Sequence, residues 1–382
     1  MRARLVILAA VLALAGCGGG GGGPSKNGGG RVLGQRGDRA PSPPLDYPVL
    51  ATKNTTRVPG SDSVAVAADV ARAVFPEAKP GAVTLVDASD WRAGISAAQL
   101  SGPPLRAPVL LAQGSGLPEA TRTALSALAP TGAPKAQGAH VLRVGTQAAV
   151  PGLKTSDLTG ATPAALANAV DRVQVAAAGK PSATVVVASP QSPEYAMPAA
   201  AWAAKAGAPV LWTAGTGTVP PETLAAIRRH GHPRIFVLGP ASVVPNAVVT
   251  RLRKLGPVTR VAGTDPVTTA IAFARLPTGW NVRDPGHGLV FANTQRPLDA
   301  AAGAPLSASG TYGPLLLLTD ANALPTPLQN YLLDIEPGFD PDPVRGVYNH
   351  GWLLGDESAI AAAVQARIDT LLEIQPVSSK GD

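Results

Sequence analysis

Short continuous apolar runs alternate along this chain with longer segments whose apolar residues return at helical spacing. One such alternation is written three times, about a hundred residues apart, a period that marks repeated small domains and not a solenoid of short repeats. Ala107-Pro108-Val109-Leu110-Leu111 leads through a Gly-rich loop to Pro118, and Ala208-Pro209-Val210-Leu211-Trp212 leads through another to Pro220. Gly313-Pro314-Leu315-Leu316-Leu317-Leu318 leads through a polar loop to Pro325. Each phrase predicts a buried strand, a turn and a helix with Pro in its first turn.

Around these phrases the pattern predicts the remaining elements. In the first unit a strand at Thr56–Val58 precedes Gly60-Ser61-Asp62, which has helix-capping chemistry, and a helix through Val74. Strands at Ala82–Val86, Pro108–Leu111 and His140–Val144 alternate with helices at Trp91–Leu100 and Pro118–Leu128. The second unit repeats this with helices ending near Ala178, Ala206, Arg229 and Leu255, and strands at Ala183–Ala188, Val210–Thr213 and Ile235–Leu238. The third has strands at Leu289–Ala292, Leu315–Thr319 and near Val347–Leu354, and a last helix over Glu357–Leu372. Continuous apolar strands between helices imply an α/β fold with parallel sheets covered on both faces. The expected boundaries are 47–150, 151–256 and 257–374 for the three repeats, with a disordered tail at 375–382.

Composition and charge narrow the function. At 45% hydrophobic the chain is too apolar to be disordered, and 42 Gly with 39 Pro argue against a helical bundle. Of the net +7, residues 1–46 hold six basic against two acidic side chains, so the folded part is close to balanced. No Lys/Arg run or aromatic-basic interleaving points to nucleic acid.

The N-terminus is organised differently. Arg2 and Arg4 precede the apolar run Leu5–Leu14, which is too short to span a bilayer and fits a secretory signal over 1–17. Leu14-Ala15-Gly16-Cys17 resembles a bacterial lipobox, in which the Cys becomes the acylated N-terminus; Cys17 is the one cysteine in the chain. Residues 18–46, opening with Gly18–Gly23, fit a flexible Gly/Pro-rich tether. Together they predict a protein on the outer face of the cytoplasmic membrane, held by lipid and facing the wall.

The candidate chemistry is sparse. No nucleophile elbow, zinc helix or P-loop appears, so neither a catalytic residue nor a cofactor is expected. Ala214-Gly215-Thr216-Gly217-Thr218 has the look of a phosphate loop, but Gln113-Gly114-Ser115-Gly116 fills the same slot and favours a repeated structural turn. His230 and His232 resemble half a metal site with no third ligand, so no metal is expected and a surface turn is preferred. Arg57 with Asp62, and Arg260 with Asp265, recur at matching places. They suit either a polar site at strand ends or a helix cap with a structural Arg. Glu194 and Asp299 fall at helix starts, where a carboxylate is favourable with or without a ligand. Trp91, Trp202, Trp212, Trp280 and Trp352 offer sugar-stacking rings, with Trp202 and Trp212 in apolar, core-like surroundings.

Aligned on its echoes, the chain resembles the type 2 cell wall-binding repeat family of Gram-positive bacteria. Arg57, Gly60 and Asp62 match its opening motif in the first unit; Arg260, Gly263, Asp265, Thr269 and Ala270 match it in the third, and Gly160 in the second. Pro193-Glu194, and Pro297 and Asp299 with one inserted residue, stand at its Pro-Asp turn, and the A-P-V-L-L phrase is kept in all three. The resemblance implies three tandem Rossmann-like repeats about a pseudo-threefold axis, noncatalytic, holding a teichoic acid-like or other anionic glycan of the wall. It makes Arg57, Asp62, Glu194, Arg260, Asp265 and Asp299 the candidate ligand-binding residues. The alternative is a solute-binding lipoprotein of a transport or sensing system, which pairs a lipobox with two Rossmann-like lobes; a hydrolase lacks its catalytic constellation.

Overall fold

The structure, a computed structural model, describes residues 50–377 except 216, 310, 311 and 341. The signal segment with Cys17, the tether at 18–46 and residues 378–382 lie outside the described residues.

The chain begins with β1 (Leu50–Ala51), β2 (Thr55–Val58) and α1 (Ser63–Val74). Next come β3 (Val83–Asp87), α2 (Trp91–Ala97), β4 (Val109–Ala112), α3 (Glu119–Leu128), β5 (Val141–Val144), β6 (Thr155–Leu158) and α4 (Pro163–Ala178). A second round follows: β7 (Thr184–Ala188), α5 (Pro193–Ala206), β8 (Val210–Trp212), α6 (Pro221–Arg229), β9 (Arg234–Leu238), α7 (Asn246–Leu252), β10 (Val258–Val261) and α8 (Pro266–Arg275). The third is β11 (Gly288–Asn293), α9 (Leu298–Ala308), β12 (Tyr312–Leu318), α10 (Thr326–Asp334), β13 (Gly338–Phe339), β14 (His350–Leu354), α11 (Ala362–Leu371) and β15 (Gln375–Pro376).

Three sheets share one topology. Their orders are β4-β3-β5-β6, β8-β7-β9-β10 and β12-β11-β14-β2, the last extended by antiparallel β1. All other pairings within them are parallel. In each sheet the chain starts at a central strand, steps to one side, then crosses to the other, as in doubly wound α/β folds.

The strand that opens each sequence repeat lies in its neighbour's sheet. β6 completes the first sheet and β10 the second. β2, from the start of the chain, closes the ring by pairing with β14, Thr55 opposite Gly351 through Val58 opposite Leu354. The boundaries expected at 150/151 and 256/257 therefore cut two sheets before their last strand, and the structural modules are offset from the sequence repeats. β6 has no counterpart among the sequence-predicted strands, because Thr155-Ser156-Asp157-Leu158 is polar and sits at a half-exposed edge.

Each opening strand passes through a glycine into a capped helix. Asp62 accepts from the Ala65 amide, Thr162 from Ala165, and Asp265 from Thr268, with Pro163 and Pro266 in the first turns of α4 and α8. A Cβ on Gly60, Gly160 or Gly263 would stand 2.3, 2.2 and 2.2 Å from the first turn of the following helix. That contact explains why this glycine survives in the second repeat when its neighbours have changed.

At the centre, α2, α5 and α9 pack pairwise, each being the helix that follows the first strand of its sheet. Leu298 through Ser307 of α9 are all buried. A Cβ on Gly94 of α2 would approach the Leu298 side chain to 2.6 Å, so small residues let these helices meet closely.

Two expectations change near the C-terminus. The last helix starts at Ala362 and not near Glu357, because residues 355–360 form a loop whose carbonyls serve Arg57. Within the tail expected from 375, Gln375 and Pro376 pair with Gly338 and Phe339 as a short strand.

Candidate functional site

The loops at the C-terminal ends of the first and third sheets enclose a cleft of 370 Å³, lined by Ser61, Asp62, Ser63, Ala88, Ser89, Trp91 and residues 295–298. A second, open cleft of 350 Å³ shares Ala88 and Ser89 and continues over Asp87, Gln113 and Gly114. The two form one groove across the strand ends, where ligands of open α/β sheets sit.

Its floor is aromatic. Trp91 is half-buried and stands edge-on to buried Trp212, centroids 5.5 Å apart at 89°. Trp212 Nε1 donates to Ser96 Oγ at 2.9 Å, which fixes the lower ring. Arg92 covers Trp91 with its guanidinium 4.6 Å from the ring centroid, while its Nε donates to the Pro190 carbonyl at 2.6 Å. Trp202 packs with Phe236, Phe273 and Trp280, away from the groove, and Trp352 stands edge-on to His350.

The wall of the groove rests on one Arg. Arg296 points Nη1 at the Ser61 carbonyl (3.4 Å) and Nη2 at the Gly60 carbonyl (3.3 Å), and its Nε lies 2.8 Å from Asp299 Oδ2. That last contact is an ion pair by distance, but its angle leaves Asp299 Oδ2 without a hydrogen bond. Asp299 is wholly buried, and burial pushes its carboxyl up to about 6; Arg296 and the Ser63 hydroxyl oppose the shift and Asp62 adds to it.

The candidate residues sort into two groups. Asp62 comes beside Asp299 at the junction of the first and third repeats, and both Glu194 and Asp265 act on Tyr195 at the junction of the second and third, raising its pKa after burial does. Asp62 lines the groove and also caps α1, accepting at 2.8 Å; Asp265 caps α8 in a full capping box. Arg57 and Arg260 stand apart from these acids. Arg57 is 2% exposed and donates to the carbonyls of Gly355 (2.8 Å), Asp356 (2.9 Å) and Ile360 (2.6 Å) and to Gln365 Oε1 (2.8 Å). Arg260 does the same one junction away, to the carbonyls of Gly239 (2.7 Å) and Val244 (2.8 Å) and to Asn246 Oδ1 (3.1 Å). Their donors serve the protein, not a ligand.

At the remaining junction the matching position is Asp157, and the Arg comes from the neighbouring strand. Arg143, opposite Asp157 in the ladder, pairs with it at 2.6 and 2.7 Å and donates to the Ala148 carbonyl at 3.1 Å. The loop-holding Arg is thus present at all three junctions, which no motif anchored on one position detects.

Two further candidates resolve as structure. Gln113 and Gly116 exchange backbone hydrogen bonds at 3.1 Å, Ala214 N donates to the Thr218 carbonyl and Gly217 N to the Ala214 carbonyl, so these amides close the turns themselves. His230 ends α6 in a turn whose Gly231 and His232 are exposed, but its own ring is buried: its Nε2 lies 3.0 Å from Asp171 Oδ1, and its Nδ1 accepts from the Ser182 amide. Among the described residues no three His, Cys, Asp or Glu side chains gather as a metal site.

With this geometry in place, a family model described as cell wall binding domain 2 matches residues 260–365. The chain resembles that wall-binding family. The matched span covers the third repeat from Arg260 to the Gln365 that Arg57 grips, and so runs to the ring closure. The fold agrees with two solved structures, Cwp6 and Cwp8 from Clostridium difficile, at TM-scores of 0.69 and 0.66 and identities of 16% and 17%. Each alignment covers 84% of this chain, and the chain spans about half the length of those proteins, 48% and 52%. No curated protein matches by sequence.

Proposed function

We propose that this chain is a noncatalytic envelope protein that binds a cell wall glycan in the groove over the first sheet. The observation behind this is the groove itself: an open cleft with Trp91 as its floor and Asp62, Ser63, Ser89 and Gln295 around it. Sugar rings pair an apolar face, which stacks on an aromatic, with hydroxyls that carboxylate, amide and hydroxyl side chains bind. An open groove continued by a second cleft suits a polymer better than a small solute, which would be enclosed. The family likeness of residues 260–365 supports the same reading. Acylation of Cys17 would hold the protein on the outer membrane face, with residues 18–46 as the reach toward the wall.

Retention of the full chain on native cell walls at low salt tests the groove. Trp91→Ala and the exposed Gln295→Ala are expected to weaken retention by about tenfold and threefold, the scale of one stacking and one hydrogen-bonding contact. Equal retention of both variants and the parent sinks the reading. Release of a Cys17→Ser variant into the medium tests the anchor. A small-molecule ligand that closes two lobes, seen by solution scattering, would favour a solute receptor instead.

A further inference from the structure

The turns around the groove differ in charge from one repeat to the next. After the first strand of each sheet, one side chain accepts the amide two residues on. Asp87 Oδ1 accepts from Ser89 N at 2.8 Å, Ser189 Oγ from Gln191 N at 3.2 Å, and Asn293 Oδ1 from Gln295 N at 2.9 Å. At the helix that opens each repeat the caps are Asp62, Thr162 and Asp265. Neutral serine, threonine and asparagine do this structural work as aspartate does. Cap and turn together carry two carboxylates in the first repeat, none in the second and one in the third.

Both carboxylates of the first repeat line the groove. Asp62 is exposed in its first cleft, and Asp87 is half-buried in the cleft that continues it. Each uses Oδ1 for its structural bonds, Asp62 to Ala65 N and Asp87 to Ser89 N and Oγ. Among the described residues, Oδ2 of neither accepts a hydrogen bond. Arg296 is the one cation lining either cleft, and it is already committed. It stands between Asp299 and Asp356, at 2.8 and 3.9 Å, and points at the Gly60 and Ser61 carbonyls. Arg92, over Trp91, donates to the Pro190 carbonyl. The uncommitted charge along the groove lining is negative.

We propose that the groove selects sugars carrying free ammonium groups, as in unacetylated hexosamine units, with Asp62 and Asp87 as the acceptors. The proposal rests on the glycan reading of the groove and narrows it. An ammonium group makes charge-assisted hydrogen bonds to a carboxylate, while the sugar ring keeps the apolar face that stacks on Trp91. A glycan acidic along its length meets repulsion from the same two side chains. In this the groove departs from the anionic ligand that the family resemblance implies.

Calorimetric titration of the full chain at low salt, with a glucosamine oligomer and with an N-acetylglucosamine oligomer of equal length, tests the selection. The parent is expected to bind the glucosamine oligomer about tenfold more tightly, an advantage that shrinks as salt is raised. Asp62→Asn/Asp87→Asn keeps cap and turn, because asparagine serves both, so its thermal midpoint should stay close to the parent's. The double variant should bind the two oligomers equally. A preference that survives in it overturns the proposal, as does equal binding of the two oligomers by the parent. Equal affinities that both fall in Trp91→Ala sink the charge selection and leave the glycan groove standing. No binding of either oligomer also overturns the selection, and the glycan reading falls with it where Trp91→Ala leaves wall retention unchanged.

Discussion

The junction that closes the ring and the junction between the first and second sheets do the same mechanical work with different residues. At the closure Arg57 is buried and places its guanidinium on three carbonyls of the 355–360 loop and on Gln365. Between the first two sheets Arg143 reaches its loop from the adjacent strand, and Asp157 neutralises it near the surface, with side chains 15% and 39% exposed. What is kept is a cation on a loop of carbonyls at each strand end. Which strand supplies it is free to change, because neighbours in a parallel ladder present their side chains at one height. The difference lies in burial: one Arg is the lock between the two ends of the chain, and the other is an edge pair.

The largest effect expected from that contrast is at Arg57. Arg57→Ala leaves buried carbonyls unpaired and loosens β2 from β14, at a cost of about 3–5 kcal/mol in denaturant unfolding. Arg143→Ala should cost about 1 kcal/mol or less, in line with exposed pairs. Similar losses from the two would break the comparison.

Next in size is Asp299, the under-bonded acid at the closing junction. A carboxyl held at about 6 in the folded state and near 3.8 when unfolded destabilises the fold by up to about 3 kcal/mol at pH 7. The folded form binds the proton more tightly, so this penalty is full above pH 6 and vanishes as the pH falls toward 4. Asp299→Asn should therefore be more stable than the parent at pH 7, with the gap closing by pH 4. Asp69, also raised to about 6 by burial, acts in the same direction in both proteins and cancels from the difference. A gap independent of pH would mean that Asp299 is not the titrating group.

The smallest effect sharpens the swap itself. Asp157→Arg sets two cations side by side and should cost about 1 kcal/mol. Adding Arg143→Val, which rebuilds the second junction on the plan of the third, should recover most of it. Loss that persists in the double variant would show that the two arrangements are not equivalent.

The helices and most strands were legible because their signals are local. Asp62, Thr162 and Asp265 cap helices by contacts three residues long, and the A-P-V-L-L strands are apolar because both faces are covered. β6 was not legible, since an edge strand carrying Asp157 lacks that apolar run. The roles of the candidate residues were only half legible. The opening motif reads as a ligand site or as a scaffold, and the choice depends on what stands opposite Arg57, some three hundred residues away. The groove was invisible for the same reason: Trp91 and Gln295 come from different repeats.

The amino-acid sequence by itself determined that this is an α/β protein written in three repeats, and where its side-chain-capped helices start. Those properties follow from periodicity and capping, which act within a few residues. Only the tertiary structure decided where one module ends and the next begins. It moved each opening strand into a neighbour's sheet and turned Arg57 and Arg260 from candidate ligands into clasps on loop carbonyls. It also brought Trp91 and Gln295, from different repeats, to the lining of one groove. These outcomes rest on contacts between residues far apart in the chain, and the physics that selects them is burial and hydrogen-bond satisfaction across the closed ring.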